Sequence, residues 1–342
     1  VQPLSTALRS IQERARLAQA GCEARRDEPQ QAQLDADWTT PEPAQKAALK
    51  NRDERLAPVR HVNRDFFIAD ILDWSLKDDL ASMEHPLFAL KAGDMRVRTY
   101  ERNGTTVTIM PGHYGCATIH DKDVWIYCIS QLVEAINRGR EDACQTVRFR
   151  AHDFFVATNR DTSGRQYGRI SEMLGRLKGT MIETNIKTDG MCRRGGFGLI
   201  ETWSVVERDN NGRMAAVEVT LPDWLFRSVK AFQVLTLSRD YFRLRKPLDR
   251  RIYELARKHC GAQPKWCIGL KTLHEKSGST DTLRKFRAAM KALAGSNELP
   301  DYRAVFDHDA DTLTFYARAP KGHSALVHDI LSKHRQPQPA RT

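Results

Sequence analysis

The stretch GSTDTLRKFRAAMKAL, residues 278–293, decides how the rest of the chain is read. Leu283, Phe286, Met290 and Leu293 return every three or four residues, which predicts an amphipathic helix with Thr280 or Asp281 as its N-cap. Asp281, Arg284, Lys285, Ala288 and Lys291 fall on the other side, and Arg287 adds a further cation. A solvated helix face usually mixes both signs, whereas a helix entering a DNA major groove needs Arg and Lys around a small residue that permits close approach. Periodicity alone leaves both readings open.

The flanking segments narrow the choice. Upstream, YFRLRKPLDRRIYELARKHCG reads as a helical stretch ended by Gly261, and WCIGLKTLHEKSG as a short helix and turn. Downstream, YRAVFDHDADTLTFYARA reads as a hairpin around Asp309 and Asp311. The same order stands earlier in the chain. There TVRFRA reads as a strand, HDFFVATN as a short helix and SGRQYGRISEMLGRLKG as a longer one. The strand MIETNIK, the Gly-rich turn TDGMCRRGGFG and the returning strand LIETWSVVER then form a hairpin with a basic tip, and MAAVEVTLP adds a strand after the turn Asn211-Gly212. Helix, helix and hairpin is the order of a winged helix-turn-helix. In the earlier long helix Ile170, Leu174 and Leu177 form the buried stripe, and three of the six outward residues (Arg165, Gly168, Arg169, Glu172, Gly175, Arg176) are arginine. Two basic helices, each just before a hairpin, favour a nucleic-acid surface.

Composition agrees. The chain has 342 residues, with 54 Lys and Arg against 43 Asp and Glu, a net charge of +11 that points to a polyanionic partner. No run of 18 apolar residues occurs and the mean hydropathy is −0.55, so no membrane partner is expected. Seven scattered cysteines without a CxxC pair or a signal-peptide pattern fit the reducing cytoplasm. The chain opens on Val1, so its native start is expected to lie upstream. The expected architecture is α+β, two winged-helix domains in tandem over residues 63–235 and 236–320. They are preceded by a mobile or partly helical segment, 1–62, with a short helix over 4–21, and followed by a C-terminal tail, 321–342. Before the first long helices, RVRTYERNGTTVTIMPG reads as a strand pair around Asn103-Gly104, and VWIYCISQLVEAINRG as a helix closed by Gly139.

Four segments, KDDLASMEHPLFAL (77–90), DKDVWIYCISQLVEAINRG (121–139), GRQYGRISEMLGRLKGT (164–180) and LDRRIYELARKHCG (248–261), resemble the replication initiator protein A family of bacterial plasmids, and the resemblance runs from about Phe66 to about Ala319. It implies a tandem winged-helix initiator that binds double-stranded DNA at repeated origin sites, iterons, helps open the duplex and recruits the host initiator and replicative helicase. It also implies a homodimer through the first winged helix, acting as an autorepressor.

The residues suggest how such binding would work. Arg284 and Lys291 are the candidates for base edges, since a planar guanidinium can take guanine O6 and N7 together. Lys276, Ser277 and Thr280 stand where a helix N-terminus would hold a phosphate. In the first module Arg165, Gln166, Arg169 and Arg176 take the corresponding places, with Lys187, Arg193 and Arg194 at the wing tip. Arg243, Arg245 and Lys246, between the modules, either follow the phosphates or lie along the interdomain surface. Trp125, Ile126, Ile129, Leu132 and Ile136 form a core stripe, an exposed part of which could serve dimerisation.

No enzyme, cofactor or metal is expected. No His-hydrophobic-His pair with a nearby tyrosine and no GxxxxGK[ST] loop occurs, so nicking and self-contained ATPase chemistry lack their groups. Asp78, Asp79, Glu84 and His85 suit caps and loop hydrogen bonds better than a divalent ion, and six residues between Cys260 and Cys267 are unsuited to zinc beside His259 and His274. The competing reading is a winged-helix transcriptional repressor, a dimer on an inverted repeat. A protein-interaction scaffold is the third, and its binding would change little with salt.

Overall fold

The computed structural model describes residues 75–335, apart from 103, 141–142, 186, 189–190, 193–194 and 208–213. The expectations for residues 1–62 and for the last seven residues lie outside the described residues.

The described chain opens with β1 (Lys77–Asp79), α1 (Leu80–Glu84), β2 (Arg98–Arg102), β3 (Thr105–Met110) and α2 (Lys122–Asn137). Gly104, at φ +75°, takes the turn of the β2–β3 pair, and Gly139, at φ +68°, follows the end of α2. Next come β4 (Thr146–Phe149), α3 (Ala151–Ala157), α4 (Gly164–Gly179), β5 (Met181–Thr184), β6 (Lys187–Thr188), β7 (Met191–Cys192), β8 (Gly195–Gly198), β9 (Thr202–Glu207) and β10 (Met214–Thr220). A connecting region holds α5 (Asp223–Lys230), β11 (Val234–Thr236), which pairs with β1, and a 3-10 turn, Arg239–Arg243. The second half is α6 (Pro247–Cys260), β12 (Lys265–Gly269), α7 (Leu270–Ser277), α8 (Leu283–Ser296), β13 (Tyr302–Asp307), β14 (Thr312–Ala317) and α9 (Pro320–Arg335).

Two units share one plan. In the first, β4, α3 and α4 are followed by β9 and β10, with sheet order β4-β10-β9; in the second, β12, α7 and α8 are followed by β13 and β14, with order β12-β14-β13. In each, the opening strand pairs antiparallel with the last. β12 was expected to belong to a short helix and turn; the alternation of WCIG is too brief to show periodicity, and its pairing with β14 is long-range.

The first hairpin differs from expectation. LIETWSVVER does not return along MIETNIK: β9 pairs with β10, and β5 pairs with β3 and β8, giving the separate sheet β2-β3-β5-β8. The glycines of β8 suggest a turn, yet Gly196 lies opposite Glu183 and Gly198 opposite Met181 in a regular ladder. The first part of the C-terminal tail is the helix α9, fastened to the second sheet by Tyr316 Oη donating to Asp329 Oδ2 at 2.8 Å and Lys265 Nζ to the same oxygen at 2.6 Å.

One core runs through both units. It takes in Ile170 and Leu174 of α4, Tyr241 and Phe242 of the connecting turn, and Phe286 and Met290 of α8. The connector is therefore packed structure: Tyr241 is fully buried and Phe242 nearly so. Trp125, Ile126, Ile129, Leu132 and Ile136 are all buried in α2, which leaves no exposed part of that stripe for a dimer contact.

Candidate nucleic-acid interface

α8 is capped by Thr282, whose hydroxyl accepts from Lys285 N at 3.4 Å. The cap sits one or two residues later than expected because Asp281 is otherwise engaged. Its carboxylate takes Lys91 Nζ at 2.9 Å and its carbonyl lies 2.8 Å from His274 Nε2. The Lys91 ammonium holds the Asp281 carboxyl below its ordinary range. Phe286, Met290 and Leu293 face the core, while Arg284, Lys285, Ala288 and Lys291 are exposed. Arg287 donates two hydrogen bonds to Asp311 of the hairpin, at 2.9 and 2.8 Å, and Lys291 Nζ lies 5.5 Å above the Phe306 ring. The Arg287 bonds lower the Asp311 pKa and raise that of Arg287. The hairpin thus engages two of the basic residues, whereas Arg284 forms no hydrogen bond or ion pair among the described residues.

In α4, Ile170, Met173, Leu174 and Leu177 are buried. Arg165 and Arg169 are exposed at its N-terminal half and unpaired among the described residues; Gln166 is half-buried. Arg176 is set apart, donating to both Asp121 oxygens at 2.9 and 2.8 Å, which raises its pKa and fastens α4 to the start of α2. The outward position Gly175 makes room for Tyr114, because a Cβ there would come within 3.0 Å of the tyrosine ring. Tyr114 is 57% exposed and lies beside the basic helix, a neighbour no local sequence pattern announces.

Other expected positions are placed elsewhere. Lys276 and Ser277 are buried, so they do not form a phosphate cradle. Lys276 Nζ is bonded to Glu84 and lies 3.1 Å from His259 Nε2, while Ser277 Oγ donates to the His274 carbonyl at 2.7 Å. Thr280 is exposed, two residues ahead of the cap. Lys187 lies opposite Cys192 in the short β6–β7 ladder, its side chain outside the described residues, as are Arg193 and Arg194. Arg243 pairs with Asp240 at 2.7 Å, and Arg245 Nη1 donates to the Asn159 carbonyl at 3.3 Å, just ahead of α4. Both, with Lys246, line a cleft of about 590 Å³ that also holds Asp240, Asp249 and Glu298, so opposing charges offset theirs.

The acidic groups considered for a metal are engaged by the protein. Asp78 takes Lys122 Nζ at 2.6 Å, Asp79 caps α1 by accepting from Ser82 N at 2.8 Å, and Glu84 lies 3.3 Å from Lys258 Nζ and 3.0 Å from His259 Nε2. Burial would raise the Glu84 pKa, but bonds from His259 and Lys276 drive it well below the carboxylate range. His259 stacks on Trp266, with ring centroids 4.7 Å apart. Among the described residues no group of three His, Cys, Asp or Glu side chains is arranged to hold a metal ion. None of their helices is long and apolar enough to cross a membrane.

The model of the family "Replication initiator protein A" matches residues 77–304. A protein named as a replication protein in Wigglesworthia glossinidia brevipalpis is 42% identical over 259 residues, covering 75% of this chain and 94% of that protein. Among solved structures, domains 2 and 3 of RctB align with a TM-score of 0.50 at 10% identity, over 70% of this chain and 97% of that one, a likeness of fold.

Proposed function

The chain belongs to the replication initiator protein A family, and on that premise we propose that it initiates plasmid replication by sequence-specific binding to direct-repeat iterons, through two winged-helix modules. The observation that carries this reading is the repeated strand, helix, helix and hairpin plan, in which the longer helix of each copy presents arginines that are exposed and unpaired among the described residues: Arg165 and Arg169 on α4, Arg284 on α8. In this reading each long helix enters a major groove. Arg169 and Arg284 take base edges, and a bidentate guanine contact discriminates by about 1–3 kcal/mol. Arg165, Lys285 and Lys291 hold phosphates, fixing register without reading sequence. Thr280 and, from the segment between β5 and β8, Lys187, Arg193 and Arg194 remain secondary candidates, no longer as the tip of a wing, since the hairpin of the first unit is β9–β10. Lys276, Ser277 and Arg176 are structural, and Arg287 and Arg243 are weakened by their carboxylate partners.

Duplex opening follows from binding several adjacent sites, and the host initiator and helicase supply the ATP-driven steps. Binding and positioning are the work assigned to this chain's residues, without covalent chemistry. A homodimer through the first module would use the apolar residues exposed near the end of the β2-β3-β5-β8 sheet, Val97 and Met181.

Binding to a duplex of direct repeats from the parent plasmid's origin, to an inverted repeat and to a scrambled duplex, across a salt series, tests the proposal. Preference for the direct repeats is expected, with log K falling against log salt at a slope of about −5 or steeper, as six or more phosphate contacts require. Equal binding to the scrambled duplex would overturn it, and preference for the inverted repeat by a dimer would favour a repressor.

A further inference from the structure

α6 carries two adjacent arginines, Arg250 and Arg251, each only 2% exposed. On one side, Arg250 Nη1 lies 2.5 Å from Asp123 Oδ1, and the other oxygen of that carboxylate takes Arg160 Nη2 at 2.7 Å. Arg160 stands in the loop that leads into α4 and also donates to the His120 carbonyl at 2.5 Å. On the other side, Arg251 Nη2 donates to the Lys276 carbonyl at 2.9 Å, in the last turn of α7, just before the loop that leads into α8. Its Nη1 donates to the Ser82 and Met83 carbonyls at 2.9 and 3.0 Å. Two outer contacts repeat the pattern: Arg245 of the connector reaches Asn159 ahead of α4, and Lys91 of the first half reaches Asp281 ahead of α8.

A guanidinium with several donors engaged inside a packed core has no cheap alternative position, because leaving its acceptors would strand a buried charge. The entries to α4 and α8 are therefore held from the same helix, through neighbouring residues. We propose that Arg250 and Arg251 are positioning residues that fix the spacing and rotational phase of the two base sets read by α4 and α8. This rests on the reading that both helices bind DNA. Each added base pair moves one set by about 3.4 Å along the axis and turns it by about 35°, beyond what a hydrogen bond spans. A rigid protein accepts one spacing; a loosened one accepts several.

The test is selection from duplexes carrying about 30 randomised base pairs, long enough for two half-sites a helical turn apart. Wild type, Arg251→Lys and Arg160→Gln are compared, each first checked for a cooperative melt. Arg160 is 19% exposed in its side chain, so Arg160→Gln cuts the chain of contacts where folding is least at risk. Wild type should enrich two half-motifs at a single spacing, and one inserted base pair should weaken its binding by about 100-fold, the loss of several base contacts. The variants should enrich the same half-motifs over a range of spacings, with the insertion costing less than about 10-fold. A folded variant that keeps the single spacing overturns the inference, as does wild type accepting several spacings or enriching one half-motif alone. Failure of wild type to enrich any sequence removes the DNA-reading proposal itself, and this inference with it.

Discussion

Lys122→Met removes an ammonium set between two buried carboxylates. Lys122 Nζ lies 2.6 Å from Asp78 Oδ2 and 3.0 Å from Glu254 Oε2, and all three side chains are fully buried. At an effective dielectric near 20, each contact is worth roughly 6 kcal/mol before desolvation. Burial disfavours the Lys122 charge, yet Asp78 and Glu254 outweigh it and raise its pKa. Glu254 keeps Tyr241 Oη at 2.7 Å and Arg251 at 3.2 Å in the variant, so the stranded group is Asp78. Breaking one partner of such a pair costs about 3–5 kcal/mol. In a protein of this size, at about 2–4 °C per kcal/mol, melting should fall by roughly 6–20 °C. Asp78→Asn in the same background needs no counter-charge and should restore at least about 1.5 kcal/mol, a coupling read from a double-mutant cycle. Urea and thermal melts followed by circular dichroism give all four values. A loss below about 1 kcal/mol, or strict additivity, would refute the reasoning.

Further outcomes follow from the same contacts. Burial pushes His85 and His120 down to about 4, so the stability they lend is present above pH 6.5 and lost as pH falls toward 4. Asp78, pushed up to about 7 by burial, acts oppositely, its contribution fading as pH rises from 3.8 to about 7. Two groups outweigh one, so the melting temperature should fall from pH 7 to 4.5, less so in His120→Gln; a rise on acidification contradicts this. Gly112→Ala would place a Cβ 2.6 Å from the Gly179 carbonyl oxygen, and a cost of about 1–3 kcal/mol should show in a urea melt; an unchanged midpoint would be the contrary result. Asp311→Asn frees Arg287, so DNA affinity should rise by about 2–5-fold at low salt and return to the wild-type value at high salt. Weaker binding would mean that Asp311 itself supports the interface.

What could be read from the sequence was what lies close together along it. α8 was visible in the return of Phe286, Met290 and Leu293, and the β2–β3 turn in Asn103-Gly104. The exposed Arg165, Arg169 and Arg284 follow from the same periodicity. Pairings that cross the chain left no such trace. Lys276 reads as a loop cation until Glu84, 192 residues away, is seen beside it, and Arg176 reads as a surface arginine until Asp121 is. α6 misled in another way. Its apolar face was plain, but Arg250, Arg251 and Glu254 are buried on its remaining sides, and only the packing of both halves around it makes charged residues interior.

The most direct measurement is methylation interference at guanine N7 on one origin repeat, with wild type, Arg169→Ala and Arg284→Ala. Interference over two adjacent major-groove segments with wild type is expected, one segment lost with each variant while binding elsewhere on the repeat persists. If both variants keep the wild-type pattern, α4 and α8 do not read bases and the central claim fails.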